Sequence, residues 1–241
     1  HRNFEDLMLF EIGPVFKGSK PGEQLTMINA IKTGKYSRKN WIEKERSFDV
    51  FDIKNDALRT LNEIGLNNLK IVVSNRTKKW YHPGRSGLLS LGSTNGPELA
   101  YFGEIHPSII KKLDLRTDNV LGFEVFLDNI PESRKKIREV KPQFIVSDYQ
   151  KVVRDFAFVI DEKYKSSEIV NLVQKVDKEL IKNVKIFDVY QGENIDSGKK
   201  SIAFSVTLEP KDKTLGENDI DQMSKKIIST VQESTGATLR S

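Results

Sequence analysis

The chain has 241 residues, 37% of them hydrophobic and 30% charged, an ordinary globular composition with length for one large domain or two ordinary ones. The absence of cysteine excludes disulfides, thiolate metal ligands and cysteine nucleophiles and fits a reducing cytoplasm; apolar runs such as residues 71–73 fall far short of the roughly 18 residues of a membrane span, so no membrane partner is expected. The formal net charge of +5 is uneven, with 24 Lys+Arg against 18 Asp+Glu in residues 1–145 and 15 against 16 in residues 146–241, so a polyanion bound by the second part must be held by local placement of groups rather than by bulk charge.

In chain order, residues 1–140 read as a mixed, strand-rich domain. Strands are predicted over 7–16, 27–32, 48–51, 69–74, 88–91, 99–105 and 121–127. Two helices interrupt them: one over 55–64, burying Leu58, Leu61 and Ile64 and stopped by Gly65, and a short one over 109–113 after Pro107. From Pro131 to Val146 two prolines and a basic run (Arg134, Lys135, Lys136, Arg138, Lys141) break the apolar pattern and read as a linker. Such a run is ordinarily a solvated surface, with a phosphate-binding strip as the alternative.

Residues 146–241 form the second predicted domain. A strand over 152–160 carries Val153, Phe156 and Phe158; Ser166 and Ser167 offer an N-cap with Glu168 in the first turn. The helix that follows runs to about residue 181, with Ile169, Val173, Val176 and Leu180 on one face. A strand over 184–190, a glycine-bearing loop over 191–200 and a strand over 201–208 come next. In the last of these, Ile202, Phe204, Val206 and Leu208 alternate with Ser201, Ala203, Ser205 and Thr207. A helix over 217–233 buries Ile220, Met223, Ile227 and Val231 and stops at Gly236, before a last strand over 237–240. Strand, helix, strand, strand, helix, strand is the ferredoxin-like α+β order, an antiparallel sheet with both helices on one face and the other face free. That order alone does not choose a function.

Candidate chemistry is sparse. His82 in HPGRSG and His106 in GEIHP each precede a proline, and Glu104 is the nearest third ligand, a spacing that makes no convincing metal site. YHPGRSG reads as a structured turn whose Arg85 could bind a carboxylate or phosphate. No phosphate-cradling or nucleophile-elbow motif is present, so no catalytic residue is assigned. At the hairpin of the second domain, Asp188, Tyr190 and Ser201 come together at one end of the sheet. A tyrosine there can stack on an unpaired base, a carboxylate can accept from a base edge, and Lys199 or Lys200 can meet phosphate. On residue types alone, a purely structural edge tyrosine and turn aspartate is the leading reading, with base binding the alternative.

RDFAFVI (154–160), FDVYQG (187–192), GKKSIAFSVTL (198–208), Thr214-Leu215 and GATLR (236–240) resemble the ferredoxin-fold anticodon-binding domain that ends the β subunit of bacterial phenylalanine–tRNA ligase. LFEIGPVF (9–16), FDVFDIKNDALRTL (48–61), HPGRSG (82–87) and YFGEIHP (101–107) are similar to the catalytic-like module that precedes it, a class II synthetase core without catalytic residues. Gly87 stands where that family often has alanine. The resemblance implies a C-terminal segment of a subunit, without the upstream tRNA-binding, editing and magnesium-binding modules and without the first helix of the catalytic-like domain. It implies a heterotetramer of two α and two β chains in which α holds phenylalanine, ATP and Mg²⁺, so that this segment carries no cofactor and is inactive by itself. Its implied partners are phenylalanine tRNA and the α subunit, not DNA, and its implied location is the cytoplasm. Carried over residue by residue, the resemblance assigns anticodon contacts to Asp188, Tyr190, Ser201 and Arg240, with Tyr190 stacking on the first anticodon base and Asp188 accepting from its edge. In this topology Arg240 is expected towards the opposite end of the sheet from Tyr190. Competing readings are a self-contained enzyme built on His82, Arg85, Glu104 and His106, or a stand-alone ferredoxin-like RNA-binding or amino-acid-sensing module.

Overall fold

The computed structural model describes residues 6–66, 71–117, 119–131 and 147–240, and the chain divides into two compact units, 1–141 and 142–241. The expected linker, beyond Pro131, lies outside the described residues.

In the first unit, strands β1 (Leu7–Phe16), β2 (Gln24–Thr33), β5 (Ile71–Ser74), β6 (Tyr81–Leu91), β7 (Glu98–Ile105) and β8 (Val120–Phe126) form an antiparallel sheet in the order β1-β2-β8-β7-β6-β5. A small hairpin, β3 (Lys35–Ser37) and β4 (Arg46–Ser47), leads into helix α1 (Val50–Glu63). This helix lays Ile53, Ala57 and Leu61 against Leu89, Phe102, Leu121, Phe123 and Val125 of the sheet. Their four-residue spacing keeps all three on one face.

The strand expected over 48–51 is not formed. Asp49 instead caps α1, its carboxylate accepting from the N–H groups of Phe51 (2.8 Å) and Asp52 (3.0 Å), while Asp52 accepts from the Asp49 N–H (2.9 Å). This reciprocal pair starts the helix at Val50, ahead of the expected Asn55. The buried stripe shifts with it, Ile64 standing 40% exposed.

HPGRSG is also not a turn: it lies inside β6, whose pairing with β7 jumps from Tyr81 opposite Ile105 to Ser86 opposite Gly103, so residues 82–85 bulge from the ladder. The bulge is pinned by the Arg85–Glu104 ion pair and by Ser86 Oγ, 2.6 Å from the His82 carbonyl. Gly103, at φ 152°, brings its backbone so near that a Cβ there would stand 2.3 Å from Ser86 Cβ. A short helix, α2 (Pro107–Lys112), follows β7 and is capped by His106.

In the second unit, β9 (Val152–Asp161), α3 (Ser166–Val176), β10 (Ile181–Tyr190), β11 (Lys199–Leu208), α4 (Glu217–Thr235) and β12 (Thr238–Leu239) follow one another. Their antiparallel sheet has the order β10-β11-β9-β12. This is the ferredoxin-like α+β arrangement. Phe156, Phe158 and Ile160 of β9 and Ile202, Phe204, Val206 and Leu208 of β11 are buried with Ile169 and Val173 of α3 and Ile227 and Val231 of α4. Rings of Phe158 and Phe204 stack at 5.8 Å.

Helix α3 ends earlier than the apolar spacing suggests, because Asp177 leaves the helical region (φ −155°, ψ 102°) and its carboxylate accepts from the N–H groups of Glu179 and Leu180 at 3.0 and 2.9 Å. This local bond competes with helix continuation. Its start differs too: Lys165 is the capping residue, its N–H bonded to Glu168 at 3.2 Å, and Ser166 is already helical. Helix α4 closes as expected at Gly236, in the left-handed region at φ 66°.

Candidate nucleic-acid interface

Residues directly opposite in an antiparallel ladder share a face, so the register defines what the helix-free side of the second sheet presents. One row crosses it as Tyr190, Ser201, Val159 and Thr238. The next, two residues along, is Asp188, Ala203 and Ala157, with Arg240 completing it through its N–H to the Ala157 carbonyl at 2.8 Å. The two central strands thus carry only serine, alanine and valine here, a low floor between a tyrosine and aspartate on one edge and an arginine on the other.

Each edge group is held differently. Tyr190 is 40% exposed, its Oη donating to the Glu193 carbonyl at 3.3 Å. Its ring lies against Gly192, where a Cβ would stand 2.7 Å from Oη and 3.0 Å from Cζ. A backed, half-exposed ring of this kind suits stacking. Asp188 is exposed and has no hydrogen-bond partner among the described residues, which leaves its carboxylate available to base-edge donors. A bulge at Phe187 lets Asp188 and Tyr190 fall in consecutive rows of the open face.

Arg240 is not at the opposite end of the sheet. Strand β12 enters beside Val159, so Arg240 lies only one row, about 7 Å along the strands, from Tyr190. Its Nη1 reaches across β9 to donate to Ser201 Oγ at 3.3 Å, and Ser201 is buried at 4% exposure. Register decides the placement: with Thr238 opposite Val159, Arg240 falls in the Ala157 row whatever the length of β12. Asp188, Tyr190, Ser201 and Arg240 are therefore on one face within two rows.

The two lysines part company. Lys199 lies on the open face, its ammonium 2.8 Å from Asp196. Lys200 pairs with Ile160 on the core side and donates to the Tyr164 carbonyl at 2.6 Å, bracing the β9–α3 connection. Its ammonium is turned from the open face, which removes it from the candidate set. Gly192 and the Ala157–Ala203 floor escaped the residue-by-residue reading. The alternation of Ala203 and Ser205 with buried β11 residues was the available signal for the floor.

In the first unit, the groups that an enzyme would need are each engaged in local structure. His82 Nδ1 accepts from the Gly84 N–H at 3.1 Å, His106 Nδ1 is 2.7 Å from Ser108 Oγ, and Arg85 and Glu104 bind each other in two-pronged fashion. Among the described residues no group of three or more His, Asp or Glu is placed to hold a metal ion, and no helix is long and apolar enough to cross a membrane.

Comparison with known proteins places both units in described families. Residues 1–127, more than half of the chain, match the family described as phenylalanyl tRNA synthetase beta chain CLM domain. The chain belongs to that family. Residues 147–240 match the ferredoxin-fold anticodon binding domain, which covers the whole of the open-faced sheet. This β-chain family member is 41% identical over 239 residues to the phenylalanine–tRNA ligase beta subunit of Paramagnetospirillum magneticum, covering 99% of this chain and 29% of that one. It is 40% identical over 240 residues to the same subunit of Rhodospirillum rubrum, at 100% and 30% coverage, and 39% identical over 240 residues to that of Rickettsia bellii, at 99% and 27%. The chain thus spans about 30% of the length of the curated relatives it matches.

Proposed function

We propose that this chain is the tRNA-reading part of a phenylalanine–tRNA ligase β subunit, its second unit binding the anticodon loop of phenylalanine tRNA on the open sheet face. The observation that carries this reading is the placement of Asp188, Tyr190, Ser201 and Arg240 within two rows of one face, in a domain that matches the anticodon-binding family. Tyr190 stacks on the first anticodon base, Asp188 accepts from the Watson–Crick edge of that base, and Ser201 with Arg240 holds its neighbours. Lys199 can exchange its pairing with Asp196 for a phosphate.

The first unit supports assembly with an α subunit in a tetramer of two α and two β chains and performs no chemistry itself. Attachment of phenylalanine, with ATP and Mg²⁺, belongs to the α subunit. The residues here do not suit those cofactors, since the described acidic and histidine side chains form no metal cluster and the sequence holds no phosphate-cradling loop. A cytoplasmic location follows from a role in translation.

The test is fluorescence anisotropy of the chain with a phenylalanine anticodon stem-loop at low salt, beside an anticodon-swapped loop. Preference for the cognate loop is expected, and Tyr190→Ala should weaken cognate binding by about 1–3 kcal/mol, roughly 5- to 150-fold in Kd, and lose the preference. Equal binding of both loops by the unaltered chain would refute sequence-specific reading by this face.

A further inference from the structure

Resting on that reading, the electrostatics of the open face single out one more residue. The second unit has no net positive field, with 15 Lys+Arg against 16 Asp+Glu over residues 146–241, so a phosphodiester backbone must be met by individually placed cations. Ladder pairing puts three on the open face: Lys199, Arg240 and Lys185. Lys199 is engaged with Asp196 and Arg240 with Ser201. Lys185 is exposed, stands opposite Ser205, and its ammonium has neither a hydrogen bond nor an ion pair among the described residues. It occupies the row after Asp188, about 7 Å further along the sheet. Beyond Ser205 that row continues to Asp155 on β9, whose negative charge disfavours a phosphate over the centre of the sheet and leaves the β10 edge as the favourable track.

We propose that Lys185 is a phosphate-contacting residue of this interface, holding the RNA backbone on the β10 edge where the strand leaves the row of Asp188. Its contribution is electrostatic and indifferent to base identity, in contrast to that of Tyr190. The two therefore separate by kind of measurement as well as by size.

Anisotropy titrations of the full 241-residue chain with cognate and anticodon-swapped stem-loops, repeated at several salt concentrations, test this. Lys185→Ala should reduce the steepness of log K against log salt by about 0.7, weaken both loops alike and leave the cognate preference intact, while Lys185→Arg should restore the slope. Lys225→Ala, the same charge change on the exposed side of α4, should leave the slope unchanged. A slope in Lys185→Ala equal to that of the unaltered chain, or a loss no larger than in Lys225→Ala, would overturn the assignment of Lys185 while Tyr190→Ala still reported on anticodon reading. If the unaltered chain binds neither loop, both the Lys185 assignment and the anticodon reading fall.

Discussion

At the scale of single residues, the tyrosine on the open face depends on the glycine behind it. Tyr190 Oη would be 2.7 Å from a Cβ at position 192, too close for both to stay, and the tyrosine is the part free to swing because it lies half exposed at a sheet edge. Gly192 is not in the left-handed region, so alanine there strains no backbone and its effect passes through the ring. Gly192→Ala is therefore expected to reproduce a large part of the Tyr190→Ala loss in cognate stem-loop binding with no change in the thermal unfolding midpoint. The double variant should lose little more than Tyr190→Ala alone, since both act on one stacking contact. Full additivity in that cycle would show that Gly192 acts elsewhere.

Elements begin and end where side chains bind their own backbone, and α1 shows the strength of this. Its first turn joins Asp49, Asp52 and Arg46, the guanidinium donating to Asp52 at 2.7 and 3.0 Å. The Arg46 hydrogen bond holds the Asp52 carboxyl below its ordinary value of 3.8, against the opposing effect of burial. A depressed folded pKa means stability that is present above that ordinary value and is lost as pH falls through the lower folded one. Asp52→Asn should thus lower the stability of the first unit by about 1 kcal/mol at pH 7. The difference from the unaltered chain should shrink as the pH drops below 3.8, as followed by thermal melts from pH 7 to pH 3; a gap independent of pH would exclude the ion pair as its source. The same capping logic explains what the sequence disclosed. Strict alternation through Ile202, Phe204, Val206 and Leu208, and the glycine stop after α4, are periodic or conformational signals and were legible. The start of α1 was obscured because apolar Phe48, Val50 and Phe51 look like a strand, although Asp49-x-x-Asp52 was there to be read as a cap. HPGRSG was obscured because Pro and Gly punctuate a bulge as readily as a turn. Arg240 was misplaced for a third reason: residue order gives strand direction but not register, and β12 enters opposite Val159, which brings Arg240 to the Ala157 row.

For the whole molecule, the consequential fact is that each unit closes a core of its own. Among the described residues, the cluster around Leu61 draws only on the first unit, and that around Phe158 only on the second. Both side chains are fully buried, so truncation should cost about 2–5 kcal/mol for Leu61→Ala and about 3–5 kcal/mol for Phe158→Ala, the latter also losing the ring stack with Phe204. Because the clusters share no member, the two losses should be independent. In scanning calorimetry, Leu61→Ala is expected to lower the transition of the first unit and Phe158→Ala that of the second, each leaving the other in place. Functionally the consequences diverge: Phe158 lies under the floor built from Ala157, Val159, Ser201 and Ala203, so its loss should loosen the face that carries Tyr190 and Arg240 and weaken stem-loop binding. Leu61→Ala should leave that binding unchanged at temperatures where its own unit stays folded. A single transition lowered equally by either substitution would show that the two cores unfold as one cooperative body, and that a defect in the first unit reaches the open sheet face of the second through the fold itself.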